Sequence, residues 1–67
     1  MARPSLTDDA KTYFAALRKN RAAIGNLSFR EQLGWREERY ERTKEFLIEK
    51  GRIVRGRGRG GSVAIAP

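Results

Sequence analysis

Glycine residues divide this chain into short segments and so limit the elements that it can form. Gly25, Gly34 and Gly51 each follow an apolar or helical pattern, and four further glycines lie between residues 56 and 61. Glycine is common in turns and just past the ends of helices, because it adopts left-handed backbone angles without strain. These positions therefore predict short helices and strands joined by tight turns.

The helical spacing of apolar residues predicts three helices. Thr7 is predicted to cap the first helix, and Ser28 and Glu31 predict the start of the second, because the sequence from Ser28 to Glu31 matches a capping box. Gly34 is predicted to end the second helix and Gly51 the third. The predicted helices span about residues 7–19, 28–34 and 36–50, in one domain over residues 6–67 that follows a flexible lead-in over residues 1–5.

The first and third helices each have one face that suits a core. On the first helix this face consists of Ala10, Tyr13, Phe14 and Leu17. On the third helix it consists of Tyr40, Thr43 and Leu47. The opposite face of the third helix carries Glu38, Arg42, Glu45 and Glu49. Trp35, in the turn between the second and third helices, is interpreted as a core side chain rather than a stacking platform.

After Gly51 the spacing of apolar residues changes from helical to alternating. Residues 52–55 and 62–66 are each predicted to form a strand, and the glycine-rich stretch between them predicts a hairpin. An isolated hairpin is marginally stable in water, so it must pack against the helices. Residues 22–24 predict a minimal strand or extended link after the first helix. The predicted fold class is α+β, with three helices and a C-terminal two-stranded hairpin.

Composition argues against catalysis. The chain has 67 residues and contains neither cysteine nor histidine, which removes disulfides, thiolate zinc sites and most nucleophile–base pairs. The acidic pairs, Asp8-Asp9 and Glu37-Glu38, are sequence neighbours, so on a helix they point in different directions and do not share a site. A domain this small also has little room for an enclosed pocket. We expect no enzyme activity, no catalytic residue, no metal, no cofactor and no small-molecule substrate.

The net charge of +7 predicts an anionic partner, with nucleic acid first. More than half of this excess lies in residues 51–67, where Arg52, Arg55, Arg57 and Arg59 occur without any acidic residue. No apolar run is long enough to span a membrane and no signal peptide is visible. We therefore expect no membrane partner and a cytoplasmic, nucleoid-associated location in a bacterial cell.

The glycine-rich stretch has several interpretations. Gly56, Gly58 and Gly61 match G-x-G-x-x-G, but a dinucleotide-binding loop must open a helix, and only SVAIAP follows here. A flexible arginine–glycine tail that binds RNA is a second interpretation, and a charged turn in solvent is a third. Apolar residues on both sides, such as Ile53 and Val63, have no use in a tail. They favour a hairpin with arginines at its tip.

The spacing of these arginines suits a phosphate backbone. In an extended chain, alternate residues point to one face, so Arg55, Arg57 and Arg59 would align about 6–7 Å apart. Successive phosphates along one nucleic-acid strand have a similar spacing. Gly58 and Gly60 carry no side chain, which allows the backbone to approach a groove closely. Arginine is also the residue drawn into a narrow minor groove.

The predicted order of helix, short strand, helix, turn, helix and two-stranded wing resembles that of winged helix–turn–helix DNA-binding domains, over about residues 6–66. Residues 29–63 carry most of the resemblance, with Leu33-Gly34-Trp35 at the turn and Gly51-x-Ile53 at the junction with the wing. Tyr40 and Leu47 occupy core positions of the third helix. This stretch is also similar to small modules that accompany bacterial DNA methyltransferases and restriction–modification proteins.

The resemblance implies that the partner is double-stranded DNA, with a larger DNA-modifying enzyme or flanking domain as a second partner. The wing would contact the backbone or minor groove, and the third helix would enter the major groove. The candidate contacts in the wing are Arg55, Arg57, Gly58, Arg59 and Gly60. The candidate contacts on the third helix are Arg36, Arg39 and Arg42. Because the far face of that helix is mostly acidic, we expect binding to depend mainly on the wing.

Two other functions remain open. A winged helix can act as a protein–protein module, in which the acidic face of the third helix would bind a basic partner. The arginine–glycine stretch could instead bind RNA. Salt dependence distinguishes DNA binding from protein binding, and a comparison of duplex with single strand distinguishes DNA from RNA binding.

Overall fold

The structure is a computed structural model that describes residues 5–20, 23–56 and 61–67. These residues form three helices, α1 (Leu6–Lys19), α2 (Asn26–Leu33) and α3 (Glu37–Glu49), and three strands, β1 (Ile24–Gly25), β2 (Ile53–Gly56) and β3 (Ser62–Ile65). The strands form one antiparallel sheet in the order β1-β3-β2. The predicted α+β class is thus confirmed. The minimal strand lies at Ile24–Gly25 rather than over residues 22–24, and it joins the hairpin as a third strand.

The first two helices begin earlier than predicted. Ser5, not Thr7, is the N-cap of α1, and its Oγ accepts a hydrogen bond of 3.1 Å from the backbone N–H of Asp8. The capping box predicted at Ser28 is wrong, because α2 already begins at Asn26 after Gly25, without a side-chain cap. The N–H of Asn26 donates to the carbonyl oxygen of Gly61, at 3.2 Å. A bond to the sheet therefore sets the start of α2.

The ends of α2 and α3 follow the prediction. Gly34 and Gly51 have left-handed backbone angles, with φ of 71° and 70°. In both turns the glycine N–H and the next N–H donate back to carbonyl oxygens in the last turn of the helix, which is the Schellman arrangement. The turn at Gly34 leads directly into Trp35 and α3, so the helix–turn–helix connection is formed as the sequence predicts.

The core lies where the two helices that carry apolar faces meet the sheet. Its buried apolar side chains are Ala10, Tyr13, Leu17, Phe29, Trp35, Tyr40, Leu47, Ile53 and Val63. Trp35 is therefore a core residue, as predicted, and Thr43 of α3 is fully buried. Phe14 is only half-buried, at the edge of the core. Lys44 is buried although the sequence pattern gave no reason to expect it.

The register of the sheet determines which way the hairpin side chains point. Ile53 pairs with Ile65, and Arg55 pairs with Val63. Directly opposed residues of an antiparallel pair lie on the same face, so Arg55 shares the helix-facing side with buried Ile53 and Val63. Val54 lies on the outer face and is exposed. Arg55 is thereby directed towards α3 rather than away from the domain.

Candidate nucleic-acid interface

The β2–β3 ladder continues to the last described residue of β2, where Gly56 pairs with Ser62. The next four residues in sequence, Arg57, Gly58, Arg59 and Gly60, lie outside the described residues, so the predictions made for them stay predictions. Gly61, the next residue that the structure describes, has a left-handed backbone with a φ of 76°.

Gly61 is needed as glycine for two reasons. Its positive φ disfavours any side chain, and a Cβ atom there would lie 2.8 Å from Asn26 Nδ2. The carbonyl oxygen of Gly61 also accepts the N–H of Asn26. The start of β3 is therefore tied to the start of α2, which fixes this end of the hairpin against the helices.

Arg55 is the one wing candidate within the described residues, and its charge is balanced. Its guanidinium forms an ion pair and hydrogen bond with Glu45 of α3. Both side chains are largely exposed, at 62% and 54%. Exposed pairs contribute little to folding, because water screens them and two long side chains lose freedom. The contact links β2 to α3 without taking Arg55 out of reach of a ligand.

The three arginine candidates of α3 differ in what they contact. Arg39 is held by Asp9 of α1 through two hydrogen bonds, Nη2 to Oδ1 at 2.7 Å and Nε to Oδ2 at 3.2 Å. Its guanidinium also stacks over Trp35, with Cζ 4.2 Å from the ring centroid. The hydrogen bond with Asp9 raises the pKa of Arg39. Arg39 therefore joins α1 to α3, and two of its five N–H donors are engaged by Asp9.

Arg36 and Arg42 are exposed, as is Arg39. Together with Trp35 and Glu38 they line a shallow groove of about 360 Å³ beside the helix–turn–helix turn. Within the part of the chain that the structure describes, neither arginine forms an ion pair. Of the three, these two make no side-chain hydrogen bond within the described residues, so all of their donors are free for phosphate oxygens, whereas Asp9 engages part of Arg39.

The outer face of α3 is acidic, as predicted, and Glu38, Glu45 and Glu49 are all exposed. Glu45 is engaged by Arg55. Glu41 forms an ion pair with buried Lys44, whose Nζ lies 2.6 Å from Oε2 of Glu41. The remaining acids lie where a nucleic-acid backbone would pass if α3 entered a groove along its full length.

Sequence reasoning missed the polar network that orients the helices. Tyr13 donates to the hydroxyl oxygen of Tyr40 at 3.2 Å, and Tyr40 donates to Asn26 Oδ1 at 2.6 Å. Burial raises the pKa of both tyrosines above the ordinary value. The network joins α1, α3 and α2 across the core.

No protein-family model, no curated protein and no solved structure matches this chain. In the part of the chain that the structure describes, no helix is long and apolar enough to cross a membrane. The same residues contain no group of acidic side chains arranged to hold a metal ion.

Proposed function

We propose that this chain is a winged-helix domain that binds double-stranded DNA mainly by charge. In this proposal the β2–β3 wing contacts phosphates and the minor groove, and the start of α3 contacts the edge of the major groove through Arg36 and Arg42. Arg39 acts indirectly, since its bonds to Asp9 hold α3 against α1. A larger DNA-modifying enzyme or flanking domain is the second partner that we propose.

The observation that carries the proposal is the pairing of Gly56 with Ser62 at the end of the ladder. The chain leaves and re-enters the sheet at these paired residues, and Arg57 and Arg59 stand between them in sequence with no acidic neighbour. The sheet end is braced on one side by the Asn26–Gly61 bond and on the other by the Arg55–Glu45 pair. Arginines that have no acidic neighbour in sequence and that follow an anchored sheet end suit a phosphate backbone.

The arrangement of helices and strands supports the same function. Three helices followed by an antiparallel pair, with the short strand β1 added beside β3, are compatible with the winged-helix arrangement. The acidic outer face of α3 opposes deep insertion of that helix. Affinity would then come from a small number of phosphate contacts, and discrimination between DNA sequences would be weak.

The test is a salt titration of binding to a fluorescein-labelled random duplex, followed by fluorescence anisotropy. Each phosphate that a cationic side chain neutralises contributes a slope of about −0.9 in a plot of log affinity against log salt. The double variant Arg57→Ala, Arg59→Ala should lower affinity and flatten the slope by about 1.8. Its thermal melt should match that of the parent chain.

A matched control removes the same amount of charge elsewhere. The double variant Lys11→Ala, Arg18→Ala changes two exposed residues of α1 and should leave the slope almost unchanged. An equal loss in both double variants would show that net charge alone drives binding and would overturn the wing assignment. A different result would identify a protein-binding module. In that case neither arginine or lysine double variant would change DNA affinity, and the double variant Glu38→Gln, Glu49→Gln would abolish binding of a basic peptide.

A further inference from the structure

A second charged surface lies on the side of α1 and away from the residues assigned to DNA. A groove of about 580 Å³ runs between α1 and the C-terminal half of α3. Its floor is apolar and consists of Phe14, Ala15, Phe46 and Leu47. Phe14 and Phe46 are only half-buried, so parts of both aromatic rings face this groove.

The rim of the groove is basic. Lys11 and Arg18 stand on the α1 side, and Lys50 and Arg52 stand on the side where α3 leads into β2. All four side chains are exposed, and Lys50 Nζ lies 5.5 Å from the centroid of the Phe46 ring. Within the described residues, no acidic side chain lines the groove and none forms an ion pair with these four.

We propose that this groove, between α1 and the end of α3, docks an amphipathic helix of a partner protein whose apolar face is flanked by aspartate or glutamate. An apolar floor alone would fit many occupants, but four unpaired cations around it select an acidic one. A nucleic-acid strand would match the rim, yet it would cover the carbon-rich floor with a hydrated backbone. The acidic helix satisfies both features.

The dimensions of the groove suit a helix. Thr7, Lys11, Phe14 and Arg18 line it at intervals of four, three and four residues, which is one continuous stripe of α1. From Thr7 to Arg18 this stripe is about 16 Å long, which corresponds to three turns of a helix lying alongside. Two packed helices with an apolar channel between them form the usual receptor in helix-in-groove recognition.

The test uses two synthetic fluorescein-labelled peptides of about 16 residues. Both carry leucine at helical spacing on one face, and they differ only in the flanking positions, which are glutamate in one and lysine in the other. The glutamate peptide should bind and should shift the backbone NMR signals of Ala15 and Phe46. The double variant Lys11→Glu, Arg18→Glu should weaken this binding roughly tenfold or more, with an unchanged melt.

Two further variants separate this groove from the DNA surface. Ala15→Arg fills the floor and adds positive charge, so it should weaken the glutamate peptide but not an oligothymidine strand. The Arg57→Ala, Arg59→Ala variant should leave peptide binding unchanged. Failure of the wing to bind DNA would therefore not contradict the peptide site. Equal binding of both peptides, or NMR shifts confined to other surfaces, would overturn it. Displacement of the peptide by oligothymidine without sensitivity to Ala15→Arg would make the groove a nucleic-acid site.

Discussion

Among the described residues, α3 makes two ion pairs with other elements, and the two look alike in chemistry but differ in environment. Asp9–Arg39 joins α3 to α1, with the Asp9 side chain 12% exposed and the Arg39 guanidinium stacked on Trp35. Glu45–Arg55 joins α3 to the hairpin, and both partners are more than half exposed. The first lies against the core, and the second lies in water.

This difference separates the charge that maintains the fold from the charge that is available to a ligand. Among the described residues, every buried side-chain nitrogen or oxygen has a hydrogen-bond partner. In the helical part, breaking one such contact leaves a costly unpaired group. At the hairpin, water replaces a lost partner at little cost. Substitutions at the buried polar contacts of the helical part should therefore be costly, whereas a change of charge at the exposed hairpin pair should leave the domain folded.

The largest effect expected is the loss of a core side chain. Leu47 is 5% exposed, and Leu47→Ala should destabilise the domain by about 2–5 kcal/mol, which is most of the stability of a chain this short. Val54→Ala, on the outer face of β2, should change the free energy of unfolding by no more than about 0.5 kcal/mol. Thermal melts followed by circular dichroism give both values. If Leu47→Ala and Val54→Ala lose similar amounts of stability, the core and the outer face of the hairpin do not differ in the way proposed.

The buried tyrosines should make stability depend on alkaline pH. Their pKa values are raised in the folded state, so the neutral form is favoured there, and the stabilisation is fully present below the unfolded value of about 10. It is lost as pH rises above that value. Tyr13 and Tyr40 are the two tyrosines of the chain, so tyrosinate absorbance reports on this pair alone. If tyrosinate forms at a pH where the circular dichroism signal still shows a folded domain, the two tyrosines are not shielded from solvent as the structure implies.

Breaking the partly buried Asp9–Arg39 ion pair should have a smaller effect than the loss of Leu47. Asp9→Asn keeps the shape of the side chain but removes the charge that holds Arg39, and it should cost about 1–3 kcal/mol. Chemical denaturation of the variant beside Asp8→Asn provides the comparison, because Asp8 is exposed at the same helix start. Equal, small losses would mean that the Asp9–Arg39 pair contributes no more than a surface pair.

The sequence predicted features that depend on local periodicity. Helical and alternating spacing found all three helices and both hairpin strands to within two residues at their ends, and glycine chemistry found the turns at Gly34 and Gly51. Burial of Trp35 followed from its position in such a turn. These features need only neighbours in sequence, so a single sequence carries them.

Features that depend on distant partners could not be predicted in this way. The sequence shows Asp9 only as one of two adjacent acids near a helix start, and nothing near it indicates Arg39 thirty positions later. The capping box at Ser28 failed because the carbonyl oxygen of Gly61, just before β3, accepts the N–H of Asn26, and α2 begins at Asn26. The sequence around Arg55 contains no nearby acid and predicts an unpaired arginine of the wing. The register of the sheet instead directs Arg55 towards Glu45 of α3.

The helix starts offer a smaller test of the same point. Ser5→Ala removes the hydroxyl that accepts the Asp8 N–H and should cost about 1 kcal/mol. Ser28→Ala removes a hydroxyl from inside the first turn of α2, so its effect should stay within about 0.5 kcal/mol. Differential scanning calorimetry of both variants ranks them. The opposite ranking would restore the capping box and place the start of α2 two residues later.

The smallest change in stability is expected from the exposed ion pair, where the functional effect should exceed the structural one. Glu45→Gln frees Arg55, and unfolding should shift by no more than about 1 kcal/mol, the upper range for exposed pairs. If Arg55 then contacts a phosphate, DNA affinity should rise and the salt slope should steepen by about 0.9.

Glu49→Gln is the matched control for this prediction, because it removes one exposed acid of the same helix that has no arginine partner among the described residues. It should raise affinity through reduced repulsion, but with little change in slope, since no additional cation becomes free. Anisotropy titrations of both variants at several salt concentrations separate the two mechanisms. Equal slopes would mean that Arg55 stays outside the DNA contact even when released, and that the wing acts only through residues beyond Gly56.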